Sequence, residues 1–169
     1  METPDLIHAA QHGNLPAFNH LISNYQDMLY TLVLRITAGE LDPDPIMMAI
    51  VSAAYHNLQS YHQDEFQLWL VRIAVRECRQ AVRKGPRRAG KNGRGLPAGN
   101  FQETAVPDFE QHLRRLSLEQ RLAVALVDLE KMEYAQAARV SDQSVREIRR
   151  HLGAARLVLM DISKNGVPA

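Results

Sequence analysis

The chain has 169 residues, a formal net charge of +1 and 46% apolar content, the profile of an ordinary folded protein of one domain or two small ones. That balance excludes a nucleic-acid coat that is basic throughout. The single cysteine, Cys78, excludes an intramolecular disulfide and fits a reducing cytoplasm. Met1-Glu2-Thr3-Pro4-Asp5 has neither the charged nor the apolar segment of a signal peptide. No apolar run reaches membrane-spanning length, so no membrane insertion is expected.

Helix punctuation recurs and strand alternation is missing, which predicts an all-α protein. Thr3-Pro4 opens a short helix that stops near Gly13, with threonine at the cap and proline in the first turn. Phe18, Leu21, Ile22, Tyr25, Leu29, Leu32, Val33 and Ile36 keep a helical period and predict one longer helix up to Gly39. Asp42-Pro43-Asp44-Pro45 reads as a turn, and Asp44-Pro45 opens a helix over about 46–58. A polar loop over 59–65 precedes a strong helix over 66–84. The segment 85–106 is rich in glycine, proline and basic residues, has no apolar period, and reads as a flexible linker. Helices resume near Pro107. Ser117-Leu118-Glu119-Gln120 forms a capping box before Leu122, Ala125, Leu126 and Leu129. The expected organisation is a helical domain over 1–84, a basic linker over 85–106, a second helical domain over 107–163 and a frayed tail over 164–169.

The segment 133–156 is the most informative. Glu133 to Val140 reads as a short helix and Ser141-Asp142-Gln143 as a tight polar turn. Ser144 then caps a second helix with Glu147 three residues on, a second capping box. Ala138 is small, as two crossing helices require. Val145, Ile148, Leu152, Ala155 and Leu159 fall on one face, and Arg146, Arg149, Arg150 and Arg156 on the others. That is helix-turn-helix logic, in which the second helix enters the DNA major groove. A basic solvated face on an ordinary amphipathic helix is the plainer alternative. Asp142 stands where such turns often use glycine, because the chain there often takes a positive φ.

Charge is unevenly distributed. Nine Lys/Arg and one acid, Glu77, lie between Arg72 and Arg94, whereas Arg35 is the only Lys/Arg before Arg72. Trp69, Arg72, Arg76, Arg79 and Arg83 are spaced by three and four, so they share one face of the 66–84 helix. Leu70, Ile73, Ala74, Ala81 and Val82 form the opposite, core-facing side. Arginines that track phosphates beside a ring that stacks on bases suit single-stranded DNA. The bland reading makes Trp69 a core residue and the stripe a solvated face. No zinc-ligand spacing, phosphate-loop glycine pattern or nucleophile elbow occurs, so neither a metal, a cofactor nor an enzyme is expected.

Two helical units in this order resemble the bacterial RNA polymerase sigma factors of the extracytoplasmic-function (ECF) type, which keep only conserved regions two and four. The resemblance covers nearly the whole chain. Asp5-Leu6-Ile7-x-Ala9-Ala10, Ala17-Phe18 and Tyr25-Gln26-x-x-Leu29-Tyr30 look like the opening helices of region two. Phe66-x-x-Trp69-Leu70-x-Arg72-Ile73-Ala74 is the most specific match, and Leu118-x-x-Arg121 and 134–156 follow region four. The resemblance implies a cytoplasmic transcription initiation factor that docks on core RNA polymerase and directs it to promoter DNA. An anti-sigma factor is a further implied partner. By position, Trp69, Arg72, Arg76, Arg79 and Arg83 would capture the melted proximal element, and the 60–65 loop would hold a flipped base. Arg146, Glu147, Arg149, Arg150 and Arg156 would meet the upstream duplex. There arginine reads guanine or holds phosphate, and glutamate accepts from cytosine.

The chain departs from the family in the third helix of region two. An Asp-x-x-Gln-Glu pattern usual there is replaced by Pro45, Met48 and Ala49, inside the apolar run Ile46, Met47, Met48, Ala49, Ile50. This surface would dock on the polymerase or another partner without charge-assisted contacts. Ser141-Asp142-Gln143 replaces the usual Leu-Gly-Ile, and Gly153-Ala154 a usual His-Arg pair. A sigma-like regulator that binds DNA or protein without directing transcription, or a helical interaction module that binds no nucleic acid, are the other readings.

Overall fold

A computed structural model describes residues 3–62, 65–85 and 107–165, and among these it holds α-helices and no strand. The helices are α1 (Thr3–Gln11), α2 (Leu15–Ser23), α3 (Gln26–Thr37), α4 (Pro43–Asn57), α5 (Phe66–Lys84), α6 (Pro107–Arg114), α7 (Leu118–Ala123), α8 (Tyr134–Val140) and α9 (Val145–Asn165). A π-helical stretch, Val124–Leu129, extends α7. Apart from Gly85, the expected linker 85–106 lies outside the described residues, as does 166–169 of the expected tail. Lys164 and Asn165 still belong to α9.

Local chemistry sets the boundaries. Asn14 caps α2 by accepting from Ala17 N at 3.0 Å, with Pro16 in the first turn. The single long helix expected from Phe18 to Ile36 is instead two, parted at Asn24-Tyr25. Ser23 Oγ donates to His20 O at 2.8 Å and Tyr25 N to Ile22 O at 3.0 Å, so the last turn tightens and the helix ends. Apolar period survived the break, which is why the pattern did not reveal it. α4 starts at Pro43 rather than beyond Asp44, because Asp42 supplies the cap to Asp44 N at 3.1 Å. The Ser117–Gln120 capping box closes as the sequence requires, with Ser117 N donating to Gln120 Oε1 at 2.9 Å.

The helices before 85 and after 107 pack against one another. α3 lies against α7, and α5 against α8. One apolar cluster joins Leu29, Leu32, Ile36, Leu70 and Ala74 to Leu122, Leu126, Ala137 and Val140. Burying each large aliphatic side chain is worth about 1.5–3 kcal/mol, so this seam is a substantial part of the fold. A second, smaller cluster sets Ala38, at the end of α3, among Leu113, Leu116 and Leu152.

Arginines frame the seam. Arg121 is buried at 7% exposure. Its Nε donates to Leu113 O at 2.9 Å and Leu116 O at 3.1 Å, and its Nη2 to Arg114 O at 3.2 Å. Nη1 reaches Glu40 Oε2 at 2.8 Å, across the seam. One guanidinium thereby bonds carbonyls at the end of α6 and in the loop after it, and ties them to Glu40 just beyond α3. Arg114 Nε donates to Ala38 O at 3.1 Å, and Arg35 pairs with Glu130 at 3.3 Å. Burial pushes the Glu130 carboxyl above its ordinary pKa, against the opposing pull of Arg35.

Candidate nucleic-acid interface

Two basic surfaces stand close together. The first is the helix-turn-helix. Ser141 ends α8: it is fully buried, and its Oγ donates back to Ala137 O at 2.6 Å. Asp142 takes φ 51°, the left-handed conformation that the turn demands. Gln143 N then donates to Ala138 O at 3.0 Å, across a residue small enough to let the helices meet. Ser144 N donates to Glu147 Oε2 at 2.8 Å, and Glu147 N to Ser144 Oγ at 3.2 Å. The Ser144 backbone N–H, then its hydroxyl, hold the Glu147 carboxyl below the usual glutamate range.

Ile148, Leu152 and Ala155 anchor α9 from beneath. Val145, expected with them, is 36% exposed because it sits at the helix mouth ahead of the packed turn. Arg146, Glu147, Arg149 and Arg150 are all exposed on the first two turns. The Arg149 guanidinium lies over the Tyr134 ring at 5.2 Å, which orients it. Arg156 is different. It is exposed but engaged, with Nε donating to Asp128 Oδ2 at 3.1 Å and Nη2 to Asp128 Oδ1. The structure therefore brings four of the five α9 residues together at the helix start and holds the fifth against the π-helical stretch.

The second surface is the α5 stripe. Leu70, Val71, Ile73, Ala74 and Val75 bury its inner face. Ala81 and Val82 are only half-buried, since the helix runs past its own domain there. Arg72, Arg76 and Arg83 are exposed. Arg79 is not: its side chain is only 17% exposed, its Nη1 donates to Ser141 O at 2.6 Å and its Nη2 to Glu119 Oε2 at 2.7 Å. Arg72 Nη2 pairs with Asp142 Oδ1 at 2.8 Å, and Arg76 with its neighbour Glu77 at 3.2 Å. Arg83 makes no ion pair among the described residues. Trp69 is half-buried, packed against the core with its ring 5.3 Å from both Tyr61 and Phe66.

The α4 run divides by helical geometry. Ile46 and Ile50 are core residues at 5% and 0% exposure, Met47 and Ala49 are half-buried, and Met48 is 62% exposed. Met48 and Tyr55, two turns apart, are the large apolar side chains that α4 offers outward. Sequence reasoning missed Glu119, Asp142, Arg114 and Glu40 as seam residues. No sequence signal marks them, because a polar residue facing another domain looks like one facing water.

Among the described residues no group of histidines, cysteines and carboxylates is arranged to hold a metal ion, and no helix is long and apolar enough to cross a membrane.

No protein-family model matches the chain. It is 29% identical over 170 residues to an ECF RNA polymerase sigma-E factor of Escherichia coli K12, covering 89% of this chain and 88% of that protein. It is 24% identical, with 89% of each covered, to the sigma-E factor of Haemophilus influenzae. The fold matches CnrH in complex with the cytosolic domain of CnrY, with a TM-score of 0.74 and 22% identity over 96% of this chain and 97% of that one. It also matches the sigma factor RpoE of Bartonella quintana in complex with the anti-sigma factor NepR, with a TM-score of 0.68 and 18% identity over 87% and 96%. The chain is a relative of the ECF RNA polymerase sigma factors.

Proposed function

We propose that this protein is a transcription initiation factor that binds core RNA polymerase and directs it to promoter DNA, working in the cytoplasm where that polymerase is. The observation that carries the reading is the coincidence of two basic faces with this relationship. The arginine stripe of α5 and the exposed Arg146, Glu147, Arg149 and Arg150 of α9 lie on the two helices that the resemblance to ECF sigma factors assigns to DNA. α9 supplies the groove-reading residues, and its side chains suit guanine, cytosine and phosphate. α5 supplies phosphate-binding arginines, with the partly exposed Trp69 for an unpaired base. No residue of either face forms an acid–base or nucleophile constellation, and the polymerase supplies the chemistry.

The domain over 1–84 carries the strand-capturing part and the domain over 107–163 the duplex-reading part. Met48 and its α4 neighbours form the docking surface for the polymerase. An anti-sigma factor is a natural further partner, since two of the fold's neighbours were solved with bound proteins.

Gel filtration of the purified protein with bacterial core RNA polymerase tests the reading. Co-elution, strengthened on Met48→Glu with Ala49→Glu, is the expected result. Folded protein that fails to co-elute with a cognate polymerase would replace this reading with a sigma-like regulator that does not direct transcription.

A further inference from the structure

The α5 arginines meet the second half of the chain through carboxylates. Arg72 pairs with Asp142 at 2.8 Å, and Arg79 with Glu119 at 2.7 Å. Arg72 and Arg79 lie two helical turns apart, so two sites along the stripe are engaged at once. A guanidinium fork recognises a carboxylate and a phosphate by the same planar geometry and charge. We propose that Asp142 and Glu119 stand in for the phosphates of single-stranded DNA on α5, so that the closed chain masks its own strand-capturing site. This rests on reading α5 as that site.

Three observations support it. First, Asp142 occupies a left-handed position, φ 51°, where glycine would sit without strain. Its side chain is 66% exposed and does not fill the core. What aspartate adds at this point of the turn is a carboxylate held against Arg72.

Second, the seam is imperfectly satisfied. Arg79 Nε and Gln143 Oε1 are buried without a hydrogen-bond partner among the described residues. Buried unpaired polar atoms weaken a contact, and a phosphate with several acceptor oxygens would satisfy Arg79 Nε where one Glu119 oxygen does not. Glu119 is moreover shared, because Gln143 Nε2 also donates to it.

Third, the seam leaves an entry. A cleft of about 230 Å³ runs between α5 and the turn, lined by Arg72, Arg76, Arg79, Arg83, Val140 and Asp142 among others. That is room for phosphate groups. Arg76 and Arg83 stay exposed at the cleft. Incoming phosphates meet these two first and then displace the carboxylates, exchanging one anion for a like one. Apolar contacts of α3 with α7 and of α5 with α8 hold the halves together besides. The carboxylates therefore set how fully the stripe is occupied, and their effect is graded.

Binding of a short fluorescein-labelled thymidine oligonucleotide to the full chain, followed by anisotropy at low salt, tests this. Asp142→Gly with Glu119→Gln is expected to tighten binding by about three- to tenfold, since each such pair is weak by itself. Asp27→Asn with Asp44→Asn makes the same charge change at exposed positions away from the seam and is expected to change binding less than about twofold, because long-range charge is screened. Arg79→Ala is expected to cost more affinity when added to the Asp142→Gly, Glu119→Gln double variant than in the parent, where Glu119 already occupies that guanidinium. Circular dichroism checks that each variant folds.

Equal gains in the seam and control pairs, or no gain in either, would overturn the inference. If Arg76→Ala and Arg83→Ala still weaken binding in that case, α5 remains the strand-capturing helix and the masking idea alone falls. If no arginine of the stripe affects binding, the reading of α5 fails and the masking falls with it.

Discussion

Arg121→Ala is the sharpest test of how the two halves are held. The guanidinium is buried and donates to three carbonyls ending α6 and its loop, to Thr37 O at 3.5 Å, and to Glu40 at 2.8 Å. Hydrogen bonds from a charged donor are worth about 1.5–3 kcal/mol each, but they are not additive, and carbonyls opened to water recover part of the loss. The long 3.5 Å contact adds little. Breaking one side of a buried charged network costs about 3–5 kcal/mol, and that range is expected here. Glu40, 47% exposed, is a rim partner, so Glu40→Gln should cost less than about 1 kcal/mol. Urea unfolding followed by far-ultraviolet circular dichroism separates the two. With a slope of about 2 kcal/mol/M, Arg121→Ala lowers the midpoint by about 2 M and Glu40→Gln by less than about 0.5 M. If Arg121→Ala costs no more than Glu40→Gln, the carbonyl contacts contribute nothing, and Arg121 is merely one arm of a surface ion pair.

Two further expectations concern other sites. Arg149→Ala and Arg150→Ala should each weaken binding to the upstream duplex element. A residue that reads a base loses about 1–3 kcal/mol and relaxes preference at one position; one that holds phosphate weakens all sequences alike and flattens the salt dependence. Equal affinity of both variants and the parent for every duplex would remove α9 from the DNA. Cys78 is fully buried, and burial first, then the charge of Glu77, push its thiol from 9.0 up to about 12. Its raised native pKa makes the folded form favour the neutral thiol. The stabilising contribution is thus complete below pH 9 and is lost as pH rises from 9 towards 12. Thiol reagents at about pH 8 should label Cys78 only at the rate of unfolding, and rapid labelling of folded protein would show the core around α5 to be open.

The sequence determined what is local. α5 begins at Phe66 and ends at Lys84 as its period predicts, and the Ser117–Gln120 and Ser144–Glu147 boxes close as their spacing requires. Asp142 takes the positive φ that its place in the turn implies. Such features depend on a few neighbouring residues, so a one-dimensional pattern carries them. The α2–α3 break escaped because an apolar face continued on both sides of it, and periodicity records faces rather than axes. Ile46 and Ile50 parted from Met48 for a related reason: an apolar run states that burial is needed somewhere, and helical geometry decides which members receive it. The stripe of α5 was legible, yet the burial of Arg79 against Glu119 was not. A charged residue facing water and one facing a carboxylate from forty residues away have the same local sequence. Arg121 shows the limit most clearly: its partners come from α3, α6 and the loop between α6 and α7, and only packing brings them within reach of one guanidinium. Local hydrogen bonding and side-chain period fixed the helices and their caps. The seam between the halves, and with it the exposure of each candidate DNA-binding residue, was decided by contacts between segments that the sequence keeps apart.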